Sequence, residues 1–150
     1  MVNSHLHFDH CGQNPAMFGR AAVFYVQAAE IAAVEADRFY TDAAWAVAPA
    51  KQRRIVRGDV EIADGVTILA TPGHTAGHQS VLVEAAGRRV VIGAQVAWHA
   101  EELASEVASS ANVDPIPDLQ AAAVDSIRRL KALHPETVHL SHCPAYVPAA

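Results

Sequence analysis

A single domain mixing α and β structure is what this sequence predicts, and three observations carry that reading. Short apolar runs rich in β-forming residues recur between Gly, Pro and Asp turns from residue 55 to residue 92. One segment, Asp118 to Leu133, has a helical apolar stripe. No repeat, low-complexity tract or linker divides the 150 residues, of which 51% are apolar and 18% charged, so the chain has the material for a core and is treated as one unit, 1–150.

Taken in order, Ala21 to Gln27 is a short run of β-formers and reads as a strand, and Ala28 to Asp37, rich in Ala and Glu, reads as a short helix. Arg38 to Gln52 carries three aromatics and Pro49 and reads as a loop or broken helix. Gly58-Asp59 and Asp64-Gly65 are turns between short strands, and Val66 to Ala70 is a strand that runs into Pro72-Gly73. Gln79 to Glu84 and Arg88 to Ile92 flank Ala85-Ala86-Gly87 as a hairpin; both are almost continuously apolar, as strands covered on both faces are. In the helix from Asp118, Leu119, Ala123, Ile127 and Leu130 share one face between Pro117 and Pro135. Thr137 to Leu140 is a last strand, leading into Ser141-His142-Cys143-Pro144.

Charge and composition exclude several partners. The formal charge is −5, and no basic run exceeds the pairs Arg53-Arg54 and Arg128-Arg129, which argues against a nucleic-acid or anionic-membrane surface. No stretch approaches the roughly 18 apolar residues of a spanning helix. The start, MVNSHLHFDH, lacks the basic and apolar regions of a signal peptide, so the expected location is the cytoplasm. Two cysteines, Cys11 and Cys143, are too few for a disulfide framework.

Nine histidines, several bunched, direct attention to chemistry. Ser4-His5-Leu6-His7-Phe8-Asp9-His10 places three imidazoles and a carboxylate within six residues, so a metal could be held convergently at little loop-closure cost. If the segment leaves a strand extended, His5, His7 and Asp9 point to one side and His10 follows in the turn. A tag is also His-rich, but the interleaved Leu6 and Phe8 and the Cys11-Gly12 turn argue against one. In Thr71-Pro72-Gly73-His74-Thr75-Ala76-Gly77-His78 the strand stops sharply and His74 is presented from a loop as a third nitrogen ligand beside His5 and His7. His78 reads as a packed histidine bonded to nearby backbone, and His142 gains meaning only in company with the others. The aromatics Phe39, Tyr40, Trp45 and Trp98 are read as core sooner than as the wall of a substrate pocket, and the two cysteines as small packing residues under the site.

HLHFDHCG followed by TPGHTAGHQS resembles the metallo-β-lactamase superfamily, and HLHFDHCGQNPAMF, YVQAAEIAA and the final LSHCP resemble its N-acyl homoserine lactonase-like branch. The resemblance runs from residue 4 to residue 144. It implies an α+β fold, the αββα sandwich of that family. It also implies a metal-dependent hydrolase with one or two Zn2+ ions, in which His5, His7 and His74 hold the first metal and Asp9, His10 and His142 the second. Water on such a zinc has a pKa near about 7 and supplies hydroxide for attack on the carbonyl of a small ester, lactone or thioester. Asp9, if it is not tied to a second metal, would orient the nucleophile and pass a proton to the leaving group.

Two departures qualify this expectation. The family places a metal-bridging aspartate after the hairpin, and Gln95 stands there; a neutral amide oxygen cannot bridge two cations as a carboxylate does, so the second metal should bind more weakly. Lactonase-like members place a tyrosine three residues later, where this chain has Trp98, which offers only an indole N–H. A metal-binding but catalytically impaired homologue, or an incomplete fragment, is therefore the alternative to an active hydrolase. In the family the HxHxDH motif lies well inside the domain. The resemblance thus implies a chain without most of the N-terminal sheet, whose exposed sheet edge would bring copies together as a homo-oligomer.

Overall fold

The computed structural model describes residues 1–20 and 23–148. Its strands form two sheets. β1 (Phe24–Gln27) and β2 (Arg53–Val56) pair in parallel, and Val2 adds an isolated parallel bridge to Tyr25. The larger sheet has the order β3 (Val60–Ala63), β4 (Val66–Ala70), β5 (Gln79–Ala85), β6 (Arg88–Ala94) and β7 (Thr137–Leu140). Its pairs are antiparallel except β6 with β7, which run parallel. A parallel pair needs a crossover, and here it contains α5 (Ala100–Ser105), a 3-10 turn (Ser110–Asn112) and α6 (Leu119–Ala132). The β5–β6 hairpin turns at Ala86 and Gly87, both with positive φ (52° and 77°), the backbone twist that suits a two-residue hairpin.

The predicted stripe of α6 is the one that is buried. Leu119, Ala123, Ile127 and Leu130 lie against the sheet, where Leu69, Leu82, Val91 and Val138 complete the main core with Leu103 of α5. Truncating a fully buried Ile127 or Leu130 to Ala in such a core costs about 2–5 kcal/mol. A second, smaller core joins Leu6, Cys11, Val26, Ile31, Val34 and Ala46, contributed by the N-terminal segment, α1 (Phe8–Cys11), β1, α3 (Ala28–Ala36) and α4 (Ala43–Ala46). Between α1 and β1 lies α2 (Asn14–Met17), whose Asn14 side chain bonds Asn3 and the carbonyl of Ala46.

The buried Gln79 ties the two cores together at the site. Its backbone N–H donates to Ser4 O at 2.8 Å, and its side-chain nitrogen donates to Asn3 O at 2.7 Å and Tyr25 O at 3.1 Å. The side chain of Gln27 donates in turn to Gln79 Oε1 at 3.0 Å. Residues 3–5 are thereby strapped to the start of β5, directly after the loop that presents His74.

Four expectations need correction or completion. The first strand is seen as Phe24–Gln27, and Ala21 and Ala22 lie outside the described residues. The HLHFDH segment is not extended throughout: Phe8 starts a helical turn, because Cys11 and Gly12 donate back to His7 O and Phe8 O. The hairpin is not covered on both faces, since Ile92 is 49% exposed and Val81, Val83 and Val90 are only half-buried beside it. The core reading of the aromatics fails for Phe39, Trp45 and Trp98, which are 81%, 49% and 38% exposed, while Tyr40 is half-buried against the smaller core.

Candidate metal centre

The two cores meet at six side chains that form two adjoining clusters. His5, His7 and His74 make the first, and Asp9, His10 and His142 the second; within each, one ligand atom per residue lies within 4.8 Å of the others. The helical turn at Phe8 divides them. His5 and His7 precede it on extended backbone, whereas Asp9 and His10 sit inside it, so Asp9 turns away from His5 and His7 to join His10. The clusters touch through His5 and His10, whose ring centroids are 4.2 Å apart.

In the first cluster His5 and His74 are buried and His7 is half-buried, and the nitrogens of His5 and His74 are oriented. His74 Nδ1 donates to Asn112 O at 2.7 Å, which leaves its Nε2 as the lone-pair atom, 3.1 Å from His7 Nδ1. His5 Nδ1 lies 3.2 Å from Ser4 Oγ, and its Nε2 is buried without a hydrogen-bond partner among the described residues. Burial pushes the His74 imidazole down to about 4, against the opposing effect of the Asn112 carbonyl, and burial lowers His5 far more, with the neighbouring imidazoles adding to the effect. Three imidazoles with one ligand nitrogen each converging on one place are the donor set a divalent cation takes.

The second cluster is more open. His10 Nε2 lies 3.3 Å from Asp9 Oδ2 but is not aligned for a hydrogen bond, and it is the other buried nitrogen without a partner among the described residues. Burial lowers the His10 pKa, with Asp9 opposing. His142 Nε2 is 3.8 Å from Asp9 Oδ2 and 3.2 Å from Gln95 Oε1. Gln95 is buried with its amide nitrogen donating to Asn112 Oδ1 at 3.1 Å, so it turns a neutral oxygen toward the second cluster. The Trp98 ring stacks on His142 at 5.2 Å and 19°.

His78 is the packed histidine expected. The backbone N–H of Gln95 donates to its Nε2 at 3.2 Å, which puts the ring proton on Nδ1, 3.0 Å from both Thr71 O and Thr71 Oγ1. Cys11 packs beneath the site with its thiol bonded to Leu6 O, and burial raises its pKa. Cys143 is only half-buried and bonds Pro144 O, so the packing role does not extend to it.

Three contributors had no signal in the pattern of residues. Asn112 holds His74 by its carbonyl and Gln95 by its side chain, from a loop 38 residues beyond His74. Asp114 donates its backbone N–H to His74 O, and burial raises its carboxyl pKa against the pull of His7. Glu30 is fully buried in α3, next to the loops of the first cluster.

Comparison with known proteins identifies the family. The sequence profile of the metallo-beta-lactamase superfamily matches residues 1–142. An N-acyl homoserine lactonase from Bacillus cereus is 34% identical over 131 residues, 87% of this chain and 49% of the relative, and one from a Bacillus species is 42% identical over 84 residues, 56% of this chain and 32% of the relative. An N-acyl homoserine lactone hydrolase solved with the product N-hexanoyl-L-homoserine at its catalytic metal center superposes with a TM-score of 0.70 and 30% identity, over 93% of this chain and 52% of that one. The chain thus spans about half the length of the relatives it matches.

Proposed function

The chain belongs to the metallo-beta-lactamase superfamily, and from that premise we propose that it carries the metal centre of a hydrolase acting on a small lactone, ester or thioester. In this reading His5, His7 and His74 hold one zinc ion, and Asp9, His10 and His142 hold a second more weakly. The observation that supports it best is the convergence of one ligand atom each from His5, His7 and His74 within 4.8 Å, with His5 Nε2 buried and without a hydrogen-bond partner among the described residues. Imidazoles without thiolates suit zinc, and similarity to lactonases favours a lactone among the three substrate classes.

A divalent cation bound there lowers the pKa of a water molecule toward about 7 and polarises a carbonyl group. The protein's own part is orientation and proton transfer. Asn112 O keeps the His74 proton on Nδ1, so Nε2 stays available as a donor. In this reading Asp9, which lies beside His10 and His142, would accept a proton from the attacking water and return it to the leaving oxygen or sulfur when it is not tied to the second ion. Gln95 adds a neutral oxygen where a bridging carboxylate would add charge, which weakens the second site relative to the first. No helix among the described residues is long and apolar enough to cross a membrane.

A second reading, a metal-binding homologue with impaired catalysis, is favoured by Gln95 and by Trp98, whose indole covers His142 and has no hydroxyl to offer a substrate carbonyl. Metal analysis of the purified chain, followed by hydrolysis assays on lactone, thioester and ester panels, separates the two. Turnover that disappears in His74→Ala together with about one metal per chain supports the hydrolase. One zinc per chain with no turnover on any panel overturns it in favour of the second reading, and turnover that survives His74→Ala removes the first cluster from the chemistry.

A further inference from the structure

One fully buried ionisable side chain has no part in the proton transfers described above. Glu30, in the first turn of α3, is 0% exposed, and four donors from three parts of the chain meet its two oxygens. Oε2 accepts the backbone N–H of Leu6 at 2.9 Å and the hydroxyl of Tyr40 at 2.8 Å. Oε1 accepts the backbone N–H of Gly77 at 3.1 Å and a short hydrogen bond from Thr75 Oγ1. Leu6 stands between His5 and His7, Thr75 follows His74, and Gly77 precedes His78. The Tyr40 ring also packs against His7, with centroids 4.9 Å apart. At Gly77 a Cβ would fall 2.4 Å from the backbone nitrogen of Glu30 and 2.7 Å from its Cγ, so the loop reaches the carboxylate only because that residue is glycine.

Burying a carboxylate is costly even when every oxygen is satisfied, and an apolar side chain of the same volume often serves stability better. Glu30 has a directional use that a leucine would not. Its two oxygens bind one loop each, and those loops deliver the imidazoles of the first cluster. We propose that Glu30 is a positioning residue for the metal centre, clamping the His5–His7 segment to the His74 loop at the separation that lets three nitrogens share one cation. This rests on the metal-centre reading given above.

The test compares wild type with Glu30→Gln, which puts an amide N–H₂ against two donors, and with Thr75→Ala and Tyr40→Phe, which each remove one donor. Leu130→Ala is the control, since it weakens the main core away from the centre. Zinc affinity is measured by competition with a chromophoric chelator, the visible spectrum is recorded with cobalt(II) in place of zinc, and thermal unfolding is followed on chelator-stripped protein. Glu30→Gln is expected to bind the first zinc at least tenfold more weakly and to shift the cobalt bands. Thr75→Ala and Tyr40→Phe should move both readouts the same way by less, and Leu130→Ala should lower the unfolding temperature while leaving both unchanged. If Glu30→Gln does not fold, the two single-donor variants decide. Wild-type affinity and an unaltered cobalt spectrum in the variants that fold, whatever their stability, would overturn the proposal. Wild-type protein that takes up no zinc would instead overturn the metal-centre reading, and this one with it.

Discussion

Gln95 turns its side-chain oxygen to His142 Nε2 at 3.2 Å while its amide nitrogen donates to Asn112 Oδ1 at 3.1 Å. The amide is therefore oriented, and the group facing the second cluster is an uncharged acceptor. Placing a carboxylate there should strengthen that site. Gln95→Asp is expected to raise metal content toward two ions per chain, measured by elemental analysis after equilibration at a fixed, buffered free zinc concentration. The aspartate is one methylene shorter and gives up the Asn112 contact, so apo stability should fall by about 1 kcal/mol. Unchanged stoichiometry would argue that Gln95 does not occupy the bridging position.

Acid should destabilise the metal-free protein through its buried imidazoles. Burial, reinforced by His74, pushes the His78 pKa from 6.5 down to about 3, and His74 lies at about 4. Below about pH 6.5 the unfolded chain takes up these protons and the folded chain does not. The contribution is thus complete above 6.5 and is lost as pH falls through the window down to the folded values, at about 1.4 kcal/mol per pH unit for each histidine. Urea midpoints of chelator-stripped protein should be level from about pH 8 to 7 and drop steadily below 6.5. A midpoint that stayed level to about pH 5 would contradict the buried, neutral assignment.

The His74 loop depends on close approach to α6. A Cβ on Gly73 would lie 2.5 Å from the Cα of Ala123 and 2.6 Å from its Cβ, inside any tolerable contact. Gly73→Ala should cost about 1–3 kcal/mol in chemical denaturation, since helix or loop must move. Because the next residue is His74, weaker zinc binding should accompany the loss. Wild-type stability would show that the loop relaxes freely.

The outer face of the larger sheet bears Val81, Val83, Val90 and Ile92, with Ile92 49% exposed. Apolar surface of this kind favours association. Sedimentation of the chain should show an average mass that rises with protein concentration, and Ile92→Lys should lower it. A mass independent of concentration in the unaltered chain would remove this face as a contact.

Much of this was legible in the residues, where local pattern and tertiary demand agree. The α6 stripe was read from Leu119, Ala123, Ile127 and Leu130 because an amphipathic helix on a sheet has only one way to face. The hairpin is legible at Ala85-Ala86-Gly87; His5, His7 and His74 are legible from two short motifs, whereas the grouping of Asp9 and His10 with His142 follows only from the family resemblance, since His142 at a strand end carries little signal alone. The separation of Asp9 from His5 and His7 was not legible by alternation, since the bonds from Cys11 and Gly12 back to His7 and Phe8 replace a strand with a helical turn. The exposure of Ile92 escaped for the opposite reason: apolar content reports a preference for burial, and whether anything lies over a given face is decided elsewhere in the fold. Glu30 and Asn112 escaped because their roles are defined by partners 10 to 47 and 17 to 38 residues away, a separation that no local period encodes.

Asn112 serves both clusters from one short turn: its carbonyl oxygen holds His74, and its side chain holds the amide that faces His142. Two centres that share such a residue obey reciprocal thermodynamics. If an ion at one site draws Asn112 into better alignment, affinity at the other rises, and the second ion must raise the affinity for the first by the same factor. Zinc uptake would then be positively cooperative, with the 3-10 turn as the element through which each centre registers the occupancy of its neighbour.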